Sequence, residues 1–146
     1  MFLLRTSRTS YVSRSRRPPE FFVDRSLGRH RVPGALRLAG WTLRTHHELY
    51  GERDEQVPDI EWLELCGRRG LPVLSKDRRL RYRPAEIEAI RHFSVRAFLL
   101  TGGSLLAADQ AERFDRNRED IERECGTAGP VIYAVHALRI VRIFPS

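Results

Sequence analysis

Short apolar runs recur along the chain, and polar or turn-forming residues separate them. Most of these runs are rich in valine, leucine or phenylalanine, a composition typical of buried strands. A last segment is long enough for one or two closing strands. The predicted strands are 20–24, 41–49, 71–75, 95–103 and the closing segment 129–145. None of the runs approaches the roughly 18 apolar residues that a membrane-spanning helix needs, so no membrane partner is expected.

Between these runs, apolar residues return every three or four positions, which is the spacing of an amphipathic helix. Proline lies in the first turn of two such segments and glycine stands near the end of others, as at many helix boundaries. The predicted helices are 32–40, 59–70, 84–93 and 104–125, and 51–58 is predicted to be a polar loop. Strands that alternate with helices indicate an α/β fold with a mainly parallel central sheet.

The net charge of +7 is distributed unevenly over the 146 residues, a length that suits one domain. Five arginines and no acidic residue lie in 1–17, which leaves 21 basic against 19 acidic residues in 18–146. We interpret 1–18 as a basic, Arg/Ser-rich arm that is expected to be disordered, and 19–146 as the folded domain. A transit peptide is the alternative for the arm. Because the remainder is nearly balanced, bulk charge is a weak argument for nucleic-acid binding.

The two cysteines, Cys66 and Cys125, lie far apart in helix-like segments. A disulfide framework or a zinc site would need more ligands at closer spacing. Both are therefore predicted to be reduced thiols, and the protein is expected in the cytoplasm.

Acidic residues follow two of the predicted strands at the point where each strand ends. Asp24 ends the first strand and Asp77 follows the third, while Asp59 and Glu61 begin the helix that leads into the third. Ligands of open α/β sheets bind outside the carboxyl ends of the strands. A carboxylate cluster at that edge would suit Mg²⁺ or Mn²⁺. The alternative for each aspartate is a helix cap or a turn residue.

Arginines surround both strand-end aspartates. Arg25 and Arg29 follow Asp24, and Arg78 and Arg79 follow Asp77. Guanidinium groups beside metal-bound carboxylates suit a phosphodiester substrate, because they bind the neighbouring phosphates. We therefore predict an RNA-binding role for these four arginines, against the alternative of solvated charged loops.

Three segments together resemble the PIN-domain ribonucleases, in particular the short VapC-type toxins of type II toxin–antitoxin systems. They are FFVDRSLG, PDIEWLELCGRRG and LPVLSKDRR, and the resemblance spans residues 19–144. It implies a three-layer α/β/α domain, magnesium-dependent endoribonuclease activity on RNA, and a cognate antitoxin that blocks the site.

Carried over position by position, the resemblance assigns Asp24, Asp59 and Asp77 as catalytic and metal-binding acids. Ser75 stands where the family commonly has threonine, and its hydroxyl could orient Asp77. The family site has three or four acids, and Glu61 is the first candidate for the fourth. Asp54 and Asp109 are the further candidates for that position.

Other interpretations remain open at this stage. A PIN-like fold without catalysis could serve as an RNA-binding or protein-binding module. A phosphoacceptor-type regulator would need a lysine at a later strand end, and the only lysine is Lys76. His46 and His47 could bind metal, and Trp62 could stack on a base, although a core position is favoured for Trp62. The closing segment 138–144 could form an edge strand or a homodimer contact.

Overall fold

A six-stranded sheet forms the middle layer of the protein, as seen in a computed structural model that describes residues 18–146. Residues 1–17 of the arm predicted at 1–18 lie outside the described residues. The strand order is β2-β1-β3-β4-β5-β6, in which the first five strands are parallel and β6 is antiparallel to β5. The strands are β1 (Glu20–Val23), β2 (Thr42–Thr45), β3 (Val73–Ser75), β4 (Arg96–Leu100), β5 (Val131–Val135) and β6 (Ile140–Phe144).

Helices connect the parallel strands. In the described region they are α1 (Arg31–Leu38), α2 (His46–Tyr50), α3 (Asp59–Arg69), α4 (Pro84–Phe93), α5 (Ala107–Arg116) and α6 (Arg118–Glu124). Short 3₁₀ turns occupy 25–27, 51–56 and 78–81. Within residues 18–146, no helix has both the length and the apolar character needed to cross a bilayer.

The helices cover both faces of the sheet. Phe21 and Val23 of β1 pack in one core cluster with residues of α1, α5 and α6, whereas Phe22 packs in a second cluster with residues of α3 and α4. Successive side chains of a strand point to opposite faces, so a strand between two helical layers is apolar throughout. The predicted α/β fold with a mainly parallel sheet is therefore confirmed.

The second strand is shorter than the sequence pattern predicts. The predicted strand 41–49 is wrong beyond Thr45, because α2 begins at His46. The hydroxyl of Thr45 accepts a hydrogen bond from the Glu48 amide at 3.1 Å, and the Glu48 carboxylate accepts one from the Thr45 amide at 3.0 Å. This capping box starts a helix inside a segment that otherwise alternates.

The predicted helix 104–125 is two helices that meet at Asn117. The buried Asn117 amide donates to the carbonyl oxygens of Arg113 at 2.8 Å and His136 at 2.9 Å. These bonds join the helix break to the end of β5. A periodicity of apolar residues cannot reveal such a break, because both helices keep their apolar side towards the same core cluster.

Gly67 permits the close contact between α3 and α4. A Cβ atom on Gly67 would lie 2.3 Å from the Phe93 carbonyl oxygen, whereas one on Gly34 of α1 would meet no atom within 4 Å. The helix continues through Gly67 and ends at Gly70, which has a φ of 67°.

We expect opposite effects from alanine at these two glycines. Gly67→Ala should lower the free energy of unfolding by about 1–3 kcal/mol through steric overlap with α4. Gly34→Ala should raise it by about 0.5–1 kcal/mol, because glycine loses more conformational freedom in a helix. Urea denaturation of both variants measures the difference. Equal effects of the two substitutions would contradict the close contact at Gly67.

Candidate active site

Asp24 and Asp77 follow neighbouring parallel strands, so both lie at the same edge of the sheet. Residues Phe22 and Val23 of β1 pair with Val73 and Leu74 of β3. From β1 the chain continues through α1 on one face, and from β3 it continues through α4 on the other. Connections that diverge in this way open a crevice between the two strands, where ligands of open α/β sheets bind.

A cleft of about 530 Å³ lies at this crevice. Five carboxylates from different parts of the chain line it, and basic side chains lie among them. The lining includes Asp24, Asp54, Glu55, Asp59 and Asp77, with Arg25, Arg29, Arg79, His46, His47, Ser26 and Trp62. The structure thus brings together the three aspartates that the sequence assigns, and it adds Asp54 and Glu55 to them.

The carboxylate of Asp24 is almost completely buried, and two hydroxyl groups bind it. Ser75 donates to its Oδ2 atom at 2.6 Å, and Ser26 donates to its Oδ1 atom. Each hydroxyl also accepts a hydrogen bond from a backbone amide of the chain after β3. The Ser75 hydroxyl accepts from the Asp77 amide at 2.9 Å, and the Ser26 hydroxyl from the Lys76 amide at 3.0 Å. Two serine relays therefore join Asp24 to the end of β3.

Burial raises the pKa of Asp24 to about 6, although hydrogen bonds from Ser26 and Ser75 lower it in part. The nearby negative charge of Asp77 makes a smaller contribution to the same rise in the pKa of Asp24. A divalent cation beside Asp24 would offset both the burial of its charge and the repulsion from the second acid.

Asp77 has the opposite electrostatic environment. Its Oδ1 atom accepts from Nε of Arg79 at 2.9 Å, and its Oδ2 atom accepts from Nη2 of Arg79 at 3.0 Å. Burial alone would raise the pKa of Asp77, but the hydrogen bonds from Arg79 outweigh it and the pKa lies below its usual range. Arg79 therefore keeps Asp77 ionised.

Asp59 is the first residue of α3, and Trp62 fixes its side chain. The indole Nε1 donates to Asp59 Oδ1 at 3.0 Å, and the buried ring stacks on Phe22 with centroids 5.0 Å apart. The favoured core position of Trp62 agrees with this packing. Its ring is not free to stack on a base, and the indole instead orients an acid of the cleft.

Asp54 is held beside two histidines. Its Oδ1 atom is hydrogen-bonded to Nδ1 of the buried His46, and its Oδ2 atom lies 3.5 Å from Nδ1 of His47. Burial lowers the pKa of His46, while its contact with Asp54 opposes this shift. Within the described part of the chain, His46 Nε2 is a buried nitrogen with no hydrogen-bond partner. The two histidines thus position Asp54, which the sequence analysis ranks behind Glu61 as a candidate for the fourth acid.

Glu61 does not line the cleft. It follows Asp59 by two positions, which is about 200° around a helix of 3.6 residues per turn. Its carboxylate pairs with Arg53 at 3.3 Å on the outer side of α3. Asp109 is exposed at the start of α5 and is likewise absent from the lining, and Arg78 lines a different cavity. The structure therefore places Asp54, rather than Glu61, beside the three aspartates.

The donor set suits a hard divalent cation, because five carboxylates line one cleft and one of them, Asp24, is costly to ionise without a counter-charge. The side chains as they stand are turned to protein partners: Asp24 to serines, Asp59 to Trp62 and Asp77 to Arg79. Accordingly, among residues 18–146 no three acidic, histidine or cysteine side chains are already arranged around one ion position. A cation would have to draw at least some of these carboxylates from their present partners.

Fold and cleft together define a PIN-like domain. The family model for the PIN-like domain matches residues 19–102, and the chain belongs to this family. The chain is 37% identical over 123 residues to the protein named "Putative ribonuclease VapC45" from Mycobacterium tuberculosis (strain ATCC 25618 / H37Rv). The match covers 84% of this chain and 89% of that protein. No solved structure matches the chain. The family indicated by the sequence motifs is thus confirmed.

Asp24→Asn is expected to stabilise the metal-free protein at neutral pH. The pKa of Asp24 rises from 3.8 to about 6 on folding, so the folded state binds its proton more tightly than the unfolded state. The wild-type free energy of unfolding should therefore fall by on the order of 3 kcal/mol as the pH rises from 4 to 7. Urea denaturation in EDTA at pH 4 and pH 7 measures this fall, which the variant should lack. The exposed Asp109→Asn serves as a control, and an unchanged pH dependence in Asp24→Asn would contradict the assignment.

Proposed function

We propose that this protein is an endoribonuclease that requires Mg²⁺ or Mn²⁺, and that it acts as the toxin of a toxin–antitoxin pair. The observation that carries the proposal is the convergence of Asp24, Asp59 and Asp77 on one cleft at the carboxyl ends of β1 and β3. The relative's name supports a ribonuclease. The partners proposed with it are an RNA substrate and a cognate antitoxin protein.

Asp24, Asp59 and Asp77 would hold the cation, with Asp54 as the fourth acid. When bound, the cation supplies a counter-charge for the phosphate and lowers the pKa of a water molecule. The chain's own part is to present ionised oxygens. Ser26 and Ser75 keep the Asp24 oxygens in place, and Trp62 does the same for Asp59.

Arg25 and Arg29 lie exposed on the segment after β1 and line the same cleft. Their guanidinium groups can bind the phosphates on either side of the cleaved bond and hold the strand in register. In the proposed hydrolysis, a water oxygen bonds to phosphorus and the bond from phosphorus to the 3′ oxygen breaks. The products are then a 3′ hydroxyl and a 5′ phosphate.

A PIN-like domain that binds RNA without cleaving it is the second candidate. It is favoured by the paired state of Asp77 and Arg79, in which both carboxylate oxygens are already occupied. The two candidate functions differ only in whether the bound RNA is cleaved, because both predict that a divalent cation and RNA bind at this cleft.

Asp24→Asn and Asp77→Asn should abolish cleavage, because each removes a charge that the cation needs. Cleavage of a labelled single-stranded RNA during a Mg²⁺ titration measures the loss, and circular dichroism checks the fold. Thermal stability is followed in the same titration. The exposed Glu119→Gln serves as control. Cleavage by Asp24→Asn at the wild-type rate would refute the nuclease proposal, and stabilisation of the wild type by Mg²⁺ without any cleavage would support the binding module.

Substitution of each acid by its isosteric amide tests whether Asp54 or Glu61 is the fourth acid of the site. Asp54→Asn should lower kcat/KM by about 10–100-fold, the range typical of residues that support a metal site. Glu61→Gln should leave kcat/KM within about twofold, because Glu61 lies outside the cleft. The same labelled RNA measures both values. The reverse order of effects would restore Glu61 as the fourth acid.

A further inference from the structure

A second cavity, of about 540 Å³, lies beside the acidic cleft at the same edge of the sheet. The chain after β3 forms the wall between the two. Asp77 and Arg79 line the acidic cleft, whereas Lys76 and Arg78 line the second cavity. Consecutive Cα atoms are only about 3.8 Å apart, so one width of backbone separates the two spaces. One polymer that crosses this wall could therefore reach both spaces.

The second cavity has an uncompensated positive rim. Lys76, Arg78 and Arg81 contribute to its lining, and no acidic residue does. Among residues 18–146, none of these three side chains forms an ion pair, whereas Arg79 on the other side of the wall is bound to Asp77. Basic groups that are not neutralised by the protein are the ones available to phosphates.

The interior of the cavity suits a flat, partly apolar group. Leu99, Leu105 and Ile143 contribute apolar surface, and Tyr82 stands at the cavity with 60% of its surface exposed. The Arg81 guanidinium lies 5.1 Å from the centre of the Tyr82 ring. An exposed aromatic ring with basic side chains around it is a platform on which an unpaired base of single-stranded RNA can stack.

We propose that this second cavity binds one unpaired nucleotide of the RNA, next to the nucleotide whose phosphodiester lies in the acidic cleft. Its base stacks on Tyr82, and Lys76, Arg78 and Arg81 contact its phosphates. The inference rests on the proposed function for the nature of the polymer. A protein segment is the other conceivable occupant, and the positive rim and exposed aromatic ring favour RNA over it.

The test measures binding separately from cleavage. In the Asp24→Asn background, the affinity for a 5′-labelled single-stranded RNA is measured by fluorescence anisotropy at several salt concentrations. Tyr82→Ala should weaken binding about 5–150-fold, as expected for one lost stacking contact. Tyr82→Phe keeps the ring and should bind like its parent. Arg78→Ala should reduce the salt slope by about 0.7–1, and Arg69→Ala, at the far edge of the sheet, should not.

Abasic substitutions in the RNA locate the nucleotide. The cleaved bond is first mapped with the wild-type protein. An abasic nucleotide at one position beside that bond should lower the affinity of the parent protein for the RNA. The same abasic nucleotide should not lower the affinity of the Tyr82→Ala variant. Unchanged RNA affinity in both Tyr82→Ala and Arg78→Ala overturns the inference, even if the wild type cleaves RNA. Weakened binding in these variants upholds the subsite even if no cleavage occurs with Mg²⁺, a result that would refute only the nuclease proposal.

Discussion

The carboxylate of Asp24, held by two serine hydroxyls, is the contact on which the cleft depends. A buried charged group is tolerated only when hydrogen bonds replace its lost water. Ser26 and Ser75 provide them, and each hydroxyl also binds a backbone amide of the chain after β3. One small network thus satisfies a buried acid and aligns the ends of β1 and β3. The position of Asp77 follows from the same bonds, since its own amide is one of the donors.

The remaining acids are supported by quite different partners. An indole orients Asp59, a guanidinium holds Asp77, and two histidines contact Asp54. Each support belongs to the protein and precedes any ligand, so the cleft combines carboxylates of unequal proton affinity within a small volume. Such inequality is typical of sites where charged groups have separate tasks. It is also the reason that a cation would change this cleft more than it would change a symmetrical acidic cluster.

The sequence predicted the features that depend on local pattern. A strand buried on both faces is an apolar run, and β1 and β3 are each followed within two residues by aspartate, so the acidic edge could be inferred. The prediction of Glu61 as the fourth acid did not take account of helix rotation, and the structure places its side chain outside the cleft lining. The sequence ranked Asp54 behind Glu61, because only the folded chain brings Asp54 to His46 and His47. The second cavity and the break at Asn117 depend on contacts between distant segments, which no local pattern contains.

In the wall between the two cavities the side chains of residues 76–79 alternate: Lys76 and Arg78 line the second cavity, and Asp77 and Arg79 line the acidic cleft. Relatives could therefore vary residues 76 and 78, which line the second cavity, while residues 77 and 79 of the acidic cleft stay fixed. Variation at the first pair would change which ligand the second cavity selects and leave the acidic cleft unaltered. The same arrangement makes the wall intolerant of length changes. Loss or gain of one residue there would exchange the two sets of side chains and turn the acid away from its cleft.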